Sequence, residues 1–278
     1  MRAAAVQLNS NEDKERNLGT ADRLTRAAAA DGAQLVLLPE KWTALGTHED
    51  YMNAAEALDN PGPALTWASE IARELGIDLV AGSISERRDG RDKLGNTSIH
   101  FGPDGERKAL YRKIHMFDVV VGGLEYRESD SEDPGDELVI TETSDGVPMG
   151  MTVCYDLRFP ELYRIYAIRG ARILLVPAAF TKITGQAHWE LLLRARAIEN
   201  QAFVIAADQI GHHPPDKESF GGSMIVDPWG EVLARAPDEE TFIAADLDFA
   251  RQDEVRDQLP SLANRMPATY TWPQEMKA

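Results

Sequence analysis

Residues 147–180 read "VPMGMTVCYDLRFPELYRIYAIRGARILLVPAAF", and the order of elements in this stretch decides the fold class. "VPMGMTVCYD" is an apolar run that ends in polar residues, the pattern of a buried strand. "PELYRIYAIRG" puts Pro160 in a first helical turn and Gly170 just past the last one. Proline's fixed φ and glycine's left-handed freedom favour those two places. "ARILLVPAAF" is again continuously apolar. Strand, helix and strand in direct succession are the mark of an α/β protein.

The same reading extends outward. "AAAVQL" (3–8) is a short apolar strand followed by turn residues. Leu18, Ala21, Leu24 and Ala28 then follow helical spacing up to a C-cap at Gly32. "AQLVLLPE" (33–40) is a buried strand stopped by Pro39, "ALTWASEIARELG" (64–76) a helix and "IDLVAGSIS" (77–85) a strand. "NTSIHFGPDGERKALYRK" (96–113) is a hairpin turning at "GPDG". "EYRESDSEDPGDE" (125–137) reads as an exposed acidic loop, and "LVITET" (138–143) precedes the turn "SDG". Downstream, "HWELLLRARAIENQ" is a helix, "AFVIAADQI" a strand, "GGSMIVDPWGEVLARA" a hairpin turning at residues 227–230, and "TFIAADLD" a last strand. A polar helix and tail from about residue 249 close the chain. Strands outnumber helices and several neighbours are hairpins, so the sheets are expected to be mixed rather than purely parallel. No linker or repeat interrupts residues 1–278, which are read as one domain.

The 278 residues are 43% hydrophobic and 27% charged, and carry a formal net charge of −17. Such a surface repels phosphate backbones and anionic membranes, so nucleic-acid and membrane partners are not expected. No G-x-G-x-x-G or G-x-x-x-x-G-K-[ST] motif stands in a nucleotide-binding context, and no H-E-x-x-H is present. No metal or cofactor is expected. His212 and His213 are adjacent, a poor arrangement for chelating one ion from a regular element. The single cysteine, Cys154, allows no internal disulfide. With no leader pattern and no apolar stretch of membrane-spanning length, a cytoplasmic location with a reduced thiol is expected.

Three reactive side chains end strands: Glu40 after "LVLLP", Lys113 after "ALYR" and Cys154 after "GMTV". Side chains at the carboxyl ends of strands leave the packed sheet and face a crevice. Singly, each has an ordinary reading as core filler, loop acid or surface base. Jointly they describe nucleophilic catalysis. A thiol is mostly protonated at neutral pH; a carboxylate can take its proton, and an ammonium can neutralise the oxyanion formed on a carbonyl. The backbone N–H of Tyr155 is placed to donate to the same oxygen. Histidine is the commoner base for a thiol, and six are present, so a Cys–His hydrolase stays open on spacing alone.

The chain resembles the nitrilase superfamily of carbon–nitrogen hydrolases. The resemblance rests on "LLPE" around Glu40, "YRKIHMFD" around Lys113, "CYDLRFPEL" around Cys154, and further on "AFTKITGQAHWELLLRARAIENQAFVIAA" and "MIVDPWGEVLA". It implies a four-layer α-β-β-α sandwich of two mixed sheets, a homodimer or higher homo-oligomer, and a Glu–Lys–Cys triad of Glu40, Lys113 and Cys154. "CYD" after the strand and "AFTKITGQAHWE" look most like the Nit branch of omega-amidases and deaminated-glutathione amidases. The implied reaction cleaves a small carboxylate-bearing amide through a thioester on Cys154, with release of ammonia. N-carbamoyl amino acid hydrolysis, nitrile hydrolysis and an inactive dimeric scaffold remain as alternatives. The family places a second glutamate between lysine and cysteine, for which Glu128 is the best match and Glu125 lies close. Arg158 is a candidate grip for a substrate carboxylate through paired N–H donors, against an ion pair with Asp156 or Glu161. By family position, Phe180 and Thr184 line the pocket.

Overall fold

The computed structural model describes residues 1–269. In chain order, β1 (Arg2–Gln7), α1 (Lys14–Ala30), β2 (Leu35–Leu37), α2 (His48–Ala54), α3 (Pro63–Leu75), β3 (Asp78–Val80), β4 (Ile84–Glu86), β5 (Gly95–Phe101) and β6 (Arg107–Arg112) come first. A hairpin of β7 (Asp118–Val121) and β8 (Leu124–Arg127) follows. Then come β9 (Ile140–Glu142), β10 (Pro148–Met151), α4 (Pro160–Ile168), β11 (Ile173–Ala178), α5 (Lys182–Asn200) and β12 (Phe203–Asp208). A second hairpin, β13 (Ile210–His213) and β14 (Lys217–Phe220), precedes β15 (Met224–Val226), β16 (Val232–Arg235), β17 (Thr241–Asp246) and α6 (Phe249–Gln258).

One sheet has the order β17-β1-β2-β3-β5-β4, with β6 on β5; the other runs β16-β15-β12-β11-β10-β9. Each is mixed. β1, β2 and β3 are parallel, and so are β10, β11 and β12, while antiparallel strands flank both triplets. The stretch 147–180 forms β10–α4–β11, with Met149 opposite Ile173.

The layering follows from strand alternation. Ala3 and Ala5 of β1, with Leu35 and Leu37 of β2, belong to the core between the sheets. Ala4, Val6 and Val36 face the opposite way, onto the apolar stripes of α1 and α3. A strand's period of two sorts these residues to two faces. Trp189 and Leu193 of α5 and Tyr163 and Tyr166 of α4 cover the second sheet. The result is the expected four-layer α-β-β-α sandwich. Pro63 opens α3, and Gly76 closes it at φ +65°. At Gly150 in β10, an added Cβ would meet the Tyr166 ring at 2.7 Å, so only glycine lets α4 lie this close to the sheet. Among the described residues, no helix is long and apolar enough to cross a membrane.

The structure departs from the sequence expectations in several places. The segment read as an exposed acidic loop holds β8, and Glu132 within it is buried while the Glu128 side chain is only 11% exposed. Lysine partners from elsewhere in the chain make that burial tolerable. Helix α5 starts six residues before the quoted stripe, and α2 and the β7–β8 and β13–β14 hairpins carry no apolar pattern that predicts them. The end of the tail, residues 270–278, lies outside the described residues.

Candidate active site

Glu40 and Lys113 follow strands of the first sheet, and Cys154 follows β10 of the second. They meet across the seam between the sheets. The Glu40 N–H donates to the Ala178 carbonyl at 3.3 Å, and the Ala179 N–H returns a bond to Glu40 Oε2 at 2.8 Å. Those two bonds tie the ends of β2 and β11 together.

Cys154 opens a short 3-10 turn, Cys154–Arg158, at φ +49°, a region that L-residues adopt only under constraint. Asp156 supplies the constraint. Its Oδ2 accepts from the Val153 N–H (2.8 Å) and the Tyr111 hydroxyl (2.7 Å), and its Oδ1 lies 2.7 Å from His115 Nδ1. This is the physical content of "CYD": the acid two residues on anchors the turn that presents the thiol. The Tyr155 N–H, in the first turn, donates to no acceptor among the described residues, as expected for the unpaired amides that open a helical turn.

The acids and the amine form one cluster. Lys113 Nζ, essentially buried, donates to Glu40 Oε1 (3.0 Å) and to both oxygens of Glu128 (2.9 and 2.8 Å). Asn96 Nδ2 donates to Glu40 Oε1 at 2.8 Å and to Glu128 Oε1 at 3.3 Å. The Phe117 N–H donates to Glu128 Oε2 at 2.7 Å. Glu125 is exposed and bonds Arg127 instead, so Glu128 is the second glutamate that reaches the lysine.

Burial opposes the charge on Lys113, but Glu128 and Glu40 overcome it and hold the ammonium protonated well above its usual range. Burial likewise pushes against ionised Glu128, and Lys113 with Lys41 overcomes it, so this carboxyl stays well below the ordinary carboxylate range. The thiol goes the other way. Burial and the neighbouring Glu40 charge push Cys154 well above the ordinary thiol value, against the opposing pull of Lys113. The resting site therefore holds a protonated thiol beside a cluster of acids and an ammonium.

This cluster floors a cavity of about 400 Å³. Tyr155, Arg158, Phe180 and Thr184 all line it. Arg158 lies over the Phe180 ring, 5.1 Å from its centroid, with Nη1 3.3 Å from His188 Nδ1. Among the described residues no carboxylate comes within ion-pair distance of it; Asp156 faces Tyr111 and His115 instead. The Thr184 hydroxyl bonds that of Thr181 at 2.7 Å.

Four features escaped the sequence reading: Asn96, the Ala179 N–H, Lys41 and Glu132. Lys41, at φ +48°, places Nζ 2.5 Å from Glu132 Oε1 and 3.6 Å from Glu128 Oε1. Lys41 and Glu132 thus form a buried pair of opposite charges. Burial raises the Glu132 carboxyl to about 7 despite the adjacent ammonium. Lys41 stands directly after Glu40 at the same strand end, which is the one sequence signal that could have marked it.

The family model for carbon–nitrogen hydrolases matches residues 2–257. The omega-amidase NIT2 of Xenopus tropicalis is 41% identical over 271 residues, covering 97% of this chain and 96% of that protein. A deaminated glutathione amidase of Yersinia enterocolitica is 40% identical over 262 residues, covering 93% and 91%. Among solved structures, the C. elegans NitFhit protein superposes with a TM-score of 0.89 at 35% identity, over 97% of this chain and 66% of that one. A variant of the amidase from Nesterenkonia sp. AN1 superposes with a TM-score of 0.77 at 27% identity, over 97% and 95%; it carries the acetamide moiety of fluoroacetamide on its active-site cysteine. The chain belongs to the carbon–nitrogen hydrolase family.

Proposed function

We propose that this carbon–nitrogen hydrolase cleaves a small amide that also bears a carboxylate, with Cys154 as nucleophile. The observation that carries the proposal is the meeting of Glu40, Lys113 and Cys154 across the two sheets, on the floor of one cavity. Glu40 takes the thiol proton as sulfur attacks the amide carbon, which suits a thiol that rests protonated. Lys113 and the free N–H of Tyr155 stabilise the oxyanion. Glu40 then delivers its proton to the departing nitrogen, the C–N bond breaks, and ammonia leaves a thioester on Cys154. Glu40 next deprotonates a water that attacks the thioester, and returns that proton to the departing sulfur. Glu128 acts through Lys113: two carboxylate bonds fix the ammonium, leaving Glu40 to move protons. Arg158, a guanidinium with no carboxylate partner among the described residues, receives the substrate carboxylate above the Phe180 ring, with Thr184 at the cavity wall.

The test is kinetic and covalent. Ammonia release from succinamate or glutaramate should fall at least about a thousandfold in Cys154→Ala. The parent protein quenched during turnover should carry an acyl adduct of the matching mass on Cys154, and Glu40→Gln should slow both adduct formation and ammonia release, because Glu40 moves protons in both half-reactions. Undiminished turnover in Cys154→Ala would end this reading.

We also propose that the chain pairs with a second copy through the outer face of α4 and α5. Ile168, Leu191 and Ile198 are exposed there, beside Trp229 of the β15–β16 turn. Grouped apolar side chains of this size on a surface mark an interaction face.

A further inference from the structure

His213 is 4% exposed, and its ring stands in a fixed tautomer. Nδ1 lies 2.7 Å from the Ser10 carbonyl oxygen, which can only accept, so Nδ1 carries the proton. Burial also holds the imidazole below its ordinary pKa, and the nearby Lys217 charge acts in the same direction. The neutral ring therefore presents Nε2 as a bare acceptor. Nε2 is buried and has no hydrogen-bond partner among the described residues, and His213 lines the same cavity as Cys154. A buried acceptor left unpaired is costly, so something that enters the cavity should satisfy it.

The ring is held rigidly against the reactive cluster. Ser10 donates its N–H to Gln209 Oε1 at 3.0 Å, and its hydroxyl accepts from Gln209 Nε2 at 3.0 Å. The same Nε2 donates to the Glu40 carbonyl at 3.0 Å. One buried side chain thus fixes both the backbone of the acid and the carbonyl that orients the histidine.

Lys217 completes the subsite. It stands directly opposite His213 in the β13–β14 register, which puts the two side chains on one face of the hairpin. It also lines the cavity, with Nζ 5.9 Å from the Tyr51 ring centroid. Among the described residues it has no carboxylate within ion-pair distance; its neighbour Glu218 bonds Lys182 instead.

We propose that His213 and Lys217 form a second substrate subsite, which takes an N–H or O–H donor on His213 Nε2 and an adjacent carboxylate on Lys217. The inference rests on the amidase reading for its choice of ligand, and it narrows the substrate to amides whose remote end carries a donor beside a carboxylate.

The test reads binding, so it does not depend on turnover. Two probes are titrated calorimetrically into the Cys154→Ala protein: glutaryl-glycylglycine, and its ester isostere in which the glycylglycine N–H is replaced by oxygen. The N–H probe should bind about tenfold more tightly, the worth of one buried hydrogen bond. His213→Leu should abolish that preference. Lys217→Met should weaken both probes alike and keep the preference, which provides a readout if His213→Leu does not fold. Equal affinity for the two probes, binding of neither, or a preference that survives in folded His213→Leu would overturn the proposal. A preference that holds while the Cys154-containing protein releases no ammonia from succinamate or glutaramate would instead count against the amidase reading alone.

Discussion

At the scale of single residues, burial sets the chemistry of this site. Glu128 and Glu132 stand four positions apart near the same ammonium groups, yet their carboxyls are driven in opposite directions. Glu128 receives both Lys113 bonds and a backbone N–H, whereas Glu132 pairs with Lys41 alone among the described residues. The pH consequences have opposite signs. Glu128 is depressed, so its stabilisation is present above the ordinary carboxylate pKa and is lost as pH falls through its lower folded value. Glu132 is raised to about 7, so the folded state gains most from it below the ordinary value and loses that gain as pH rises through about 7. Denaturant titrations at pH 6 and pH 8 should show Glu132→Gln losing less stability over that interval than the unsubstituted protein. Between pH 6 and pH 8 the difference should be about 1 kcal/mol, because only the last pH unit below the folded value falls inside that interval. An identical pH slope in both proteins would contradict this assignment. Glu40, Lys113 and Cys154 were legible in the sequence because each stands where a strand runs out. Lys41 and Glu132 were not, because a charge pair between residues so distant in the chain leaves no local pattern. His213 hid its role for the same reason: its tautomer is set by the carbonyl of Ser10, 203 positions away.

At the scale of elements, the strands that read clearly are the ones buried on both faces. β11 and β12 are continuous apolar runs, buried along their whole length. The two hairpins at the cavity were illegible because "LEYR" and "KESF" are short and polar, with no core face to impose a two-residue period. Where an element is tightly packed, small changes should be felt. Gly150→Ala would push a methyl group to 2.7 Å from the Tyr166 ring, whose hydroxyl donates to the Met151 carbonyl at 2.6 Å. Moving α4 to relieve the clash would disturb the turn that carries Cys154. A loss of about 1–3 kcal/mol in chemical denaturation is expected, together with slower adduct formation. A variant as stable and as reactive as its parent would show that α4 has more freedom than its packing indicates.

At the scale of the whole molecule, the α/β class was legible from alternating apolar runs, while the four-layer arrangement came from the family resemblance. The reason is physical: periodicity reports which faces of a strand are buried, but not which sheet lies across from it. The proposed pairing of copies belongs to this scale. Leu191 is 69% exposed on α5, and Ile198 on the same helix packs near Gly230 in the turn that carries Trp229. Leu191→Glu should convert a dimer into a monomer by light scattering coupled to gel filtration, because a charge buried at an apolar contact is strongly disfavoured. A monomeric parent protein would refute the pairing outright.

The division of the reactive groups between the sheets has a mechanical corollary. The acid and amine ride on one slab and the sulfur on the other, so their spacing is a gauge of slip between the slabs. A displacement of about 1 Å along that plane leaves every strand ladder intact yet spoils an in-line proton transfer. Catalysis should therefore fade at a lower urea concentration than the far-ultraviolet circular dichroism signal does, with the gap between the two midpoints measuring how easily the layers glide.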